Sequence, residues 1–73
     1  MSEIVDARGL LCPLPVLRLR KRMQALSSGS EITLIADDPA AVIDVPHFCA
    51  EAGHSLVSTK DEKGAQHYTL RKA

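Results

Sequence analysis

Apolar positions recur along this chain at two different periods, and the changes of period divide it into six short elements. Residues 3–7 read Glu-Ile-Val-Asp-Ala, a strand-like run that Gly9 ends. Val16, Leu19, Met23 and Leu26 then recur at steps of three, four and three, which is one face of a helix. Arg18, Lys21 and Arg22 fall away from that face, and Ser-Ser-Gly-Ser at 27–30 ends the helix. Residues 31–36, Glu-Ile-Thr-Leu-Ile-Ala, are rich in β-branched side chains and predict a second strand. Asp37-Asp38-Pro39-Ala40 reads as a helix start, with Asp38 as N-cap and Pro39 at the first helical position. Val42, Val45, Cys49 and Ala52 make the second apolar stripe, Phe48 lies beside it, and Gly53 closes the helix. Pro46 falls inside this helix, so the helix is either kinked there or restarted with Asp44 as a fresh cap. Residues 55–60 and 65–72 predict two strands around the turn Asp61-Glu62-Lys63-Gly64, a hairpin.

The order β-α-β-α-β-β, with no linker or repeat, predicts one domain over residues 1–73. Its class is α/β (α+β): a two-layer sandwich with a four-stranded mixed sheet and both helices on one face. Hydrophobic residues are 45% and charged residues 25%, a globular balance. Phe48 and Tyr68 are the only aromatics, so the core has to come from Leu, Ile, Val and Ala. Nine basic residues balance nine acidic ones, which gives no global reason for binding nucleic acid or an anionic membrane. The opening Met-Ser-Glu-Ile-Val-Asp-Ala-Arg-Gly lacks a basic region followed by an apolar stretch, and no apolar run approaches the ~20 residues of a membrane span. The expected location is the cytoplasm, where thiols stay mostly reduced. Cys12 and Cys49 are therefore expected as two free thiols and not as a disulfide.

Cys12 has unusual neighbours. It sits in Gly-Leu-Leu-Cys-Pro-Leu-Pro, residues 9–15, where a strand and loop give way to a helix. Pro13 and Pro15 lack N–H groups, which costs nothing in a first helical turn, and they stiffen the backbone that presents the sulfur. A residue before proline is pushed to extended geometry, as an N-cap would be, and the same rule acts on Leu14, so the first helical residue stays open. In either register the sulfur lies at the positive end of a helix, near the free amides of Leu14 and Val16. A thiol placed there is expected to have its pKa lowered below ~8.5, with Arg8 adding to the effect. Cysteine is also among the most buried residue types, so the competing reading is a small core hydrophobe. Thioredoxin-type exchange wants Cys-x-x-Cys, but residue 15 is proline. A Cys–His hydrolase needs a histidine and a cleft, yet His47, His54 and His67 all lie late in a short chain. One nucleophilic sulfur without a local resolving partner suits a carrier that accepts a group from one protein and passes it to another.

Two stretches, Asp-Ala-Arg-Gly-Leu-Leu-Cys-Pro-Leu-Pro-Val-Leu-Arg-Leu-Arg-Lys at 6–21 and Ala-Asp-Asp-Pro-Ala-Ala-Val-Ile-Asp-Val-Pro-His-Phe-Cys at 36–49, resemble the signature segments of the TusA/SirA-like family of small sulfur-carrier proteins. The first carries the family's Cys-Pro-x-Pro motif, and the likeness spans essentially the whole chain. The resemblance implies a two-layer sandwich like the C-terminal domain of translation initiation factor three. It implies that Cys12 carries sulfur as a persulfide and that Pro13 and Pro15 shape its loop. The partners implied are a cysteine desulfurase or rhodanese-like donor and a downstream sulfur-relay acceptor. The pathways implied include 2-thiouridine synthesis in transfer RNA, sulfur oxidation, and selenium or molybdenum-cofactor metabolism. Such a protein has no cofactor and turns nothing over alone, so it is a carrier and not an enzyme.

Cys49 lies on the second apolar stripe and is expected in the core, with a resolving role for Cys12 as the alternative. His47 and Cys49 are two apart, and no Cys-x-x-Cys or His-x-x-x-His pair anchors them, so no metal site is expected. The run Arg18-Leu19-Arg20-Lys21-Arg22 is ordinarily the solvated face of an amphipathic helix. So close to Cys12, its Arg18, Lys21 and Arg22 are candidates for docking acidic surfaces of sulfur donors and acceptors. The alternative class is a non-catalytic interaction or regulatory module that binds RNA through these residues. Zero net charge and the lack of an aromatic platform speak against direct nucleic-acid binding, and a monomer suits successive docking.

Overall fold

The computed structural model describes residues 2–73. Its elements are β1 (Ser2–Asp6), α1 (Leu14–Gln24), β2 (Glu31–Ala36), α2 (Ala41–Ala52), β3 (Ser55–Glu62) and β4 (Ala65–Arg71). The sheet runs β1-β2-β4-β3; β1 and β2 are parallel, and the other two pairings are antiparallel. The mixed sheet follows from the connections. The β1–β2 crossover contains a helix and so permits parallel pairing, whereas β3 and β4 are joined by a tight turn.

One face of the sheet is covered and the other is open. Ile32, Leu34 and Ala36 of β2 alternate with half-buried Glu31, Thr33 and Ile35, the period-2 pattern of a strand with one buried face. The inward set joins Val5, Tyr68 and Leu70 from the neighbouring strands in one core with Leu19 and Met23 of α1 and Val45, Phe48 and Cys49 of α2. Both helices therefore lie on the same face, as the element order predicts. On the open face Glu31 and Arg71 pair across strands at 2.8 Å.

The details depart from the sequence reading at several points. In α2 the buried residues are Ala41, Val45, Phe48 and Cys49, while Val42 and Ala52 are exposed. The helix is rotated so that Phe48, its largest side chain, enters the core. Pro46 does not break α2, which runs continuously from Ala41, and Asp44 caps no second helix. The missing Pro46 N–H belongs to a bond with the carbonyl of Val42, an exposed residue, where solvent can take its place. Asp38 accepts the Ala40 N–H at 3.2 Å and its carbonyl accepts the Ala41 N–H at 3.0 Å. It thus organises the turn into α2, although the regular helix begins two residues beyond Pro39. Gly53 ends α2 in the left-handed conformation at φ 78°, its N–H bonded to the Cys49 carbonyl. The β3–β4 turn is shorter than the four residues predicted. Glu62 pairs with Ala65, leaving Lys63 and Gly64 at φ 51° and 78° as a two-residue turn.

Candidate functional site

Parallel pairing places the C-terminal ends of β1 and β2 side by side, so the loops that follow them meet at one end of the sheet. The β1–α1 loop carries Cys12, and the β2–α2 loop carries Asp37 and Asp38. The two loops are tied together by carboxylates. Asp37 accepts the Gly9 N–H at 3.0 Å, and Asp38 accepts the Cys12 N–H. Ala7 adds a backbone bond to the Ile35 carbonyl at 2.8 Å. Pro15 anchors the start of α1 by burying its ring almost completely. The thiol-bearing loop is therefore fixed from both flanks, while Cys12 itself is exposed.

The charge environment of the sulfur is the reverse of the expected one. Helix α1 begins at Leu14 with Pro13 as N-cap, and the Cys12–Pro13 peptide is cis. Cys12 thus lies one residue outside the cap. The Leu14 amide, expected near the sulfur, donates to the Leu11 carbonyl at 2.9 Å. Arg8 is engaged by Asp6 at 2.7 Å, where the guanidinium holds the Asp6 carboxyl down at about 2. The Cys12 Sγ instead donates to Asp44 Oδ2 of α2 at 2.8 Å. That hydrogen bond, aided by some desolvation and by the charges of Asp44 and Asp38, raises the Cys12 pKa above its ordinary value. A free thiolate is disfavoured next to two carboxylates, whatever the helix end contributes.

Around the sulfur lies a shallow hollow of about 200 Å³ lined by Cys12, Pro13, Val16, Arg20, Asp44, His47, Phe48 and Glu51. Arg20 sits over the Phe48 ring, 5.5 Å from its centre. A larger hollow of about 530 Å³ shares Arg20, Phe48 and Glu51 with it and continues between the helices toward His54 and Lys72, away from the thiol. The flanks are unusually apolar for a surface. Leu11 is 70% exposed and Ile43 74%, next in sequence to Cys12 and Asp44 respectively. Leu14, Leu17 and Val42 are exposed as well.

Among the remaining candidates, Arg18 and Lys21 line a groove of about 320 Å³ with Leu10, Leu14 and Leu17. Arg22 lies apart from that groove and pairs with Glu3 at 3.1 Å. Cys49 is buried in the core and Cys12 exposed; both are free. His47 meets Glu51 at 3.5 Å, His54 packs its ring against Phe48, and His67 lies on β4. No group of three metal-ligating side chains occurs among the described residues. Asp37, Asp38, Asp44 and Arg20 carry no site role in the sequence alone: Asp37 falls in the Asp-Asp-Pro turn, Asp38 and Asp44 read as helix caps within a signature stretch, and Arg20 belongs to the basic run. The available signal was topological: the order β-α-β predicts that the loops after the first two strands share one end of the sheet.

The match to the family model described as Sulfurtransferase TusA spans residues 3–72. The chain belongs to the TusA family. A protein of Allochromatium vinosum named sulfur carrier protein TusA is 42% identical to it over 72 residues, covering 99% of this chain and 95% of the relative. A Pseudomonas aeruginosa protein of the same name is also 42% identical over 72 residues, covering 99% and 91%. The crystal structure of a SirA-like protein from Desulfitobacterium hafniense superposes with a TM-score of 0.82 at 23% identity, covering 97% of this chain and 96% of the other. That likeness establishes the fold of this TusA-family chain as the two-layer arrangement described above.

Proposed function

We propose that Cys12 of this sulfur carrier receives sulfur as a persulfide from a donor protein and hands it to an acceptor protein. The observation that carries the reading is an exposed, free thiol on a loop held by carboxylates at one end of a TusA fold. In the first leg the Cys12 sulfur attacks the terminal sulfur of the donor persulfide and the donor thiolate leaves. In the second, an acceptor thiolate attacks the terminal sulfur now on Cys12, and the Cys12 thiolate leaves. Neither leg needs a metal or a redox cofactor, because each exchanges one sulfur–sulfur bond for another. The carrier turns nothing over alone.

The donor is a cysteine desulfurase or a rhodanese-like protein, and the acceptor a sulfur-relay protein that serves 2-thiouridine formation in transfer RNA or another sulfur-trafficking route in the cytoplasm. Docking uses the groove of Arg18 and Lys21 with Leu10, Leu14 and Leu17, together with the exposed Leu11 and Ile43, and Arg22 adds to it only as a more distant charge paired with Glu3. A mixed apolar and basic rim suits brief contact with acidic surfaces: apolar contact supplies area, and charge sets orientation and on-rate.

Intact-protein mass spectrometry after incubation with a cysteine desulfurase and free cysteine tests the reading. Wild type and Cys49→Ser are expected to gain one reducible sulfur atom, and Cys12→Ser none. Charge reversal at Arg18 and Lys21 is expected to slow loading while leaving the alkylation of Cys12 unchanged. No gain on wild type from this donor, or from a rhodanese with thiosulfate, would exclude the carrier role for Cys12.

A further inference from the structure

The contact between Cys12 and Asp44 spans 32 positions of sequence and joins a loop to the first turn of a helix. Both ends are held. Asp44 stands on α2 beside Val45, which is fully buried, so the backbone that carries the carboxylate is fixed by the core. Cys12 is held through its N–H by Asp38, and the helix that follows is pinned by buried Pro15. The 2.8 Å approach of sulfur to carboxylate is therefore set by the fold and not by two loose surface side chains. Other charged groups face the site: Asp38 from the β2–α2 loop, Arg20 from α1, and His47 and Glu51 from α2. Arg8 is occupied by Asp6. Asp44 is the group in direct contact with the sulfur.

A carrier thiol faces a conflict. A permanently ionised sulfur reacts with any disulfide, oxidant or electrophile, whereas a carrier must react with chosen proteins only. We propose that Asp44 is the general base of sulfur transfer, whose carboxylate holds the Cys12 proton in the free protein and takes it up once a docked partner excludes water. The inference rests on the carrier reading for its second half and on the Cys12–Asp44 geometry for its first. Burial under a partner makes a carboxylate a stronger base, since removing water disfavours its charged form. As the Cys12 sulfur forms its bond to the donor's terminal sulfur, the donor's own sulfur–sulfur bond breaks and its electron pair stays on the donor cysteine. The proton moves from Cys12 to Asp44 and then to that departing thiolate. Thiol plus persulfide gives persulfide plus thiol, with no external oxidant or reductant.

Two assays on the full chain test this. The first follows alkylation of Cys12 in the free protein by iodoacetamide from pH 6 to 10. Asp44→Asn, which keeps the shape and removes the charge, is expected to move the midpoint to lower pH and to speed alkylation at pH 7 about threefold for each unit moved, the gain in thiolate being partly offset by its lower nucleophilicity. Asp44→Glu, which restores a carboxylate, is expected to keep the midpoint above that of Asp44→Asn. The second assay is the initial rate of loading by a persulfide-bearing cysteine desulfurase. There Asp44→Asn is expected to be slower than wild type, opposite to its effect on alkylation. An unmoved or raised midpoint in Asp44→Asn overturns the proposal, as does loading that accelerates in step with alkylation. Failure of the carrier reading looks different: wild type takes no sulfur although the alkylation profiles follow expectation.

Discussion

Cys49 is 4% exposed on the core face of α2, and its burial pushes the thiol pKa up, whereas Cys12 is exposed and its pKa is raised by a hydrogen bond to Asp44. The two thiols are thus protonated for different reasons, one by lack of water and one by a neighbouring charge. Those reasons separate in a labelling experiment. A maleimide applied to the folded protein is expected to modify Cys12 alone, tracked by peptide mass. If only global opening exposes Cys49, it should react at least about a thousandfold more slowly, the factor set by an opening free energy of ~5 kcal/mol. Comparable rates in the folded state would mean that α2 detaches locally from the sheet. Which cysteine is exposed and which packs was readable from neighbours in sequence: a proline bracket for one and an apolar stripe for the other. The charge state of Cys12 was not readable that way. Helix position is local, but the carboxylate that governs the sulfur lies 32 residues away and is brought in by packing.

The order, type and approximate limits of the six elements follow from apolar periodicity, and with them the mixed sheet and the covered face. What periodicity left open is the rotation of α2. Val42, Val45, Cys49 and Ala52 form one plausible stripe; Ala41, Val45, Phe48 and Cys49 form another a fraction of a turn away, and the second is buried. Size decides between them, because burying Phe48 removes more apolar area from water than burying Val42. The rotation leaves Val42 and Ile43 exposed and presents Asp44 to Cys12. The hairpin shows a second limit. Asp61-Glu62-Lys63-Gly64 marks a turn, but only Lys63 and Gly64 leave the ladder, both at positive φ. A two-residue turn of that kind prefers Asn-Gly, since a side chain at its first position meets the left-handed penalty that asparagine tolerates best. Lys63→Asn is therefore expected to stabilise the protein by about 0.5–1 kcal/mol, read as a higher urea midpoint with an unchanged slope. A lower midpoint would show that the Lys63 side chain contributes more than its backbone costs.

Across the whole molecule, the exposed thiol and the closure of the chain occupy opposite ends of the sheet. The Cys12 loop follows the C-terminal ends of β1 and β2, while Arg71 at the end of β4 pairs with Glu31 at the start of β2. Beyond Arg71, Lys72 donates to the carbonyls of Met23 and Leu26 at 2.7 and 2.8 Å, satisfying the C-terminal end of α1 with a cation. The Ala73 N–H donates to His54 Nδ1 at 3.0 Å, and the imidazole packs on Phe48. This clasp joins the chain end to both helices, and it requires a neutral His54, because a protonated ring has no acceptor at Nδ1. Burial first, and then the charge of Lys72, lowers the His54 pKa below its ordinary value. In the unfolded chain the same imidazole takes up its proton near pH ~6.5, so between the two values the unfolded state binds more protons. Stability is then expected to fall as the pH drops through ~6.5 and to level off below the folded value. Asp6, held at about 2, adds a separate loss only at more acidic pH, below the ordinary carboxylate value of ~3.9. His54→Asn keeps an acceptor near the position of Nδ1 and cannot be protonated. Urea midpoints measured from pH 7.5 to 5 should therefore decline in wild type and stay flatter in His54→Asn. Cys12 alkylation should be the same in both, because the clasp and the thiol lie at opposite ends. An equal decline in the variant would place the titration elsewhere, and a changed alkylation rate would mean that the two ends are coupled through the helices.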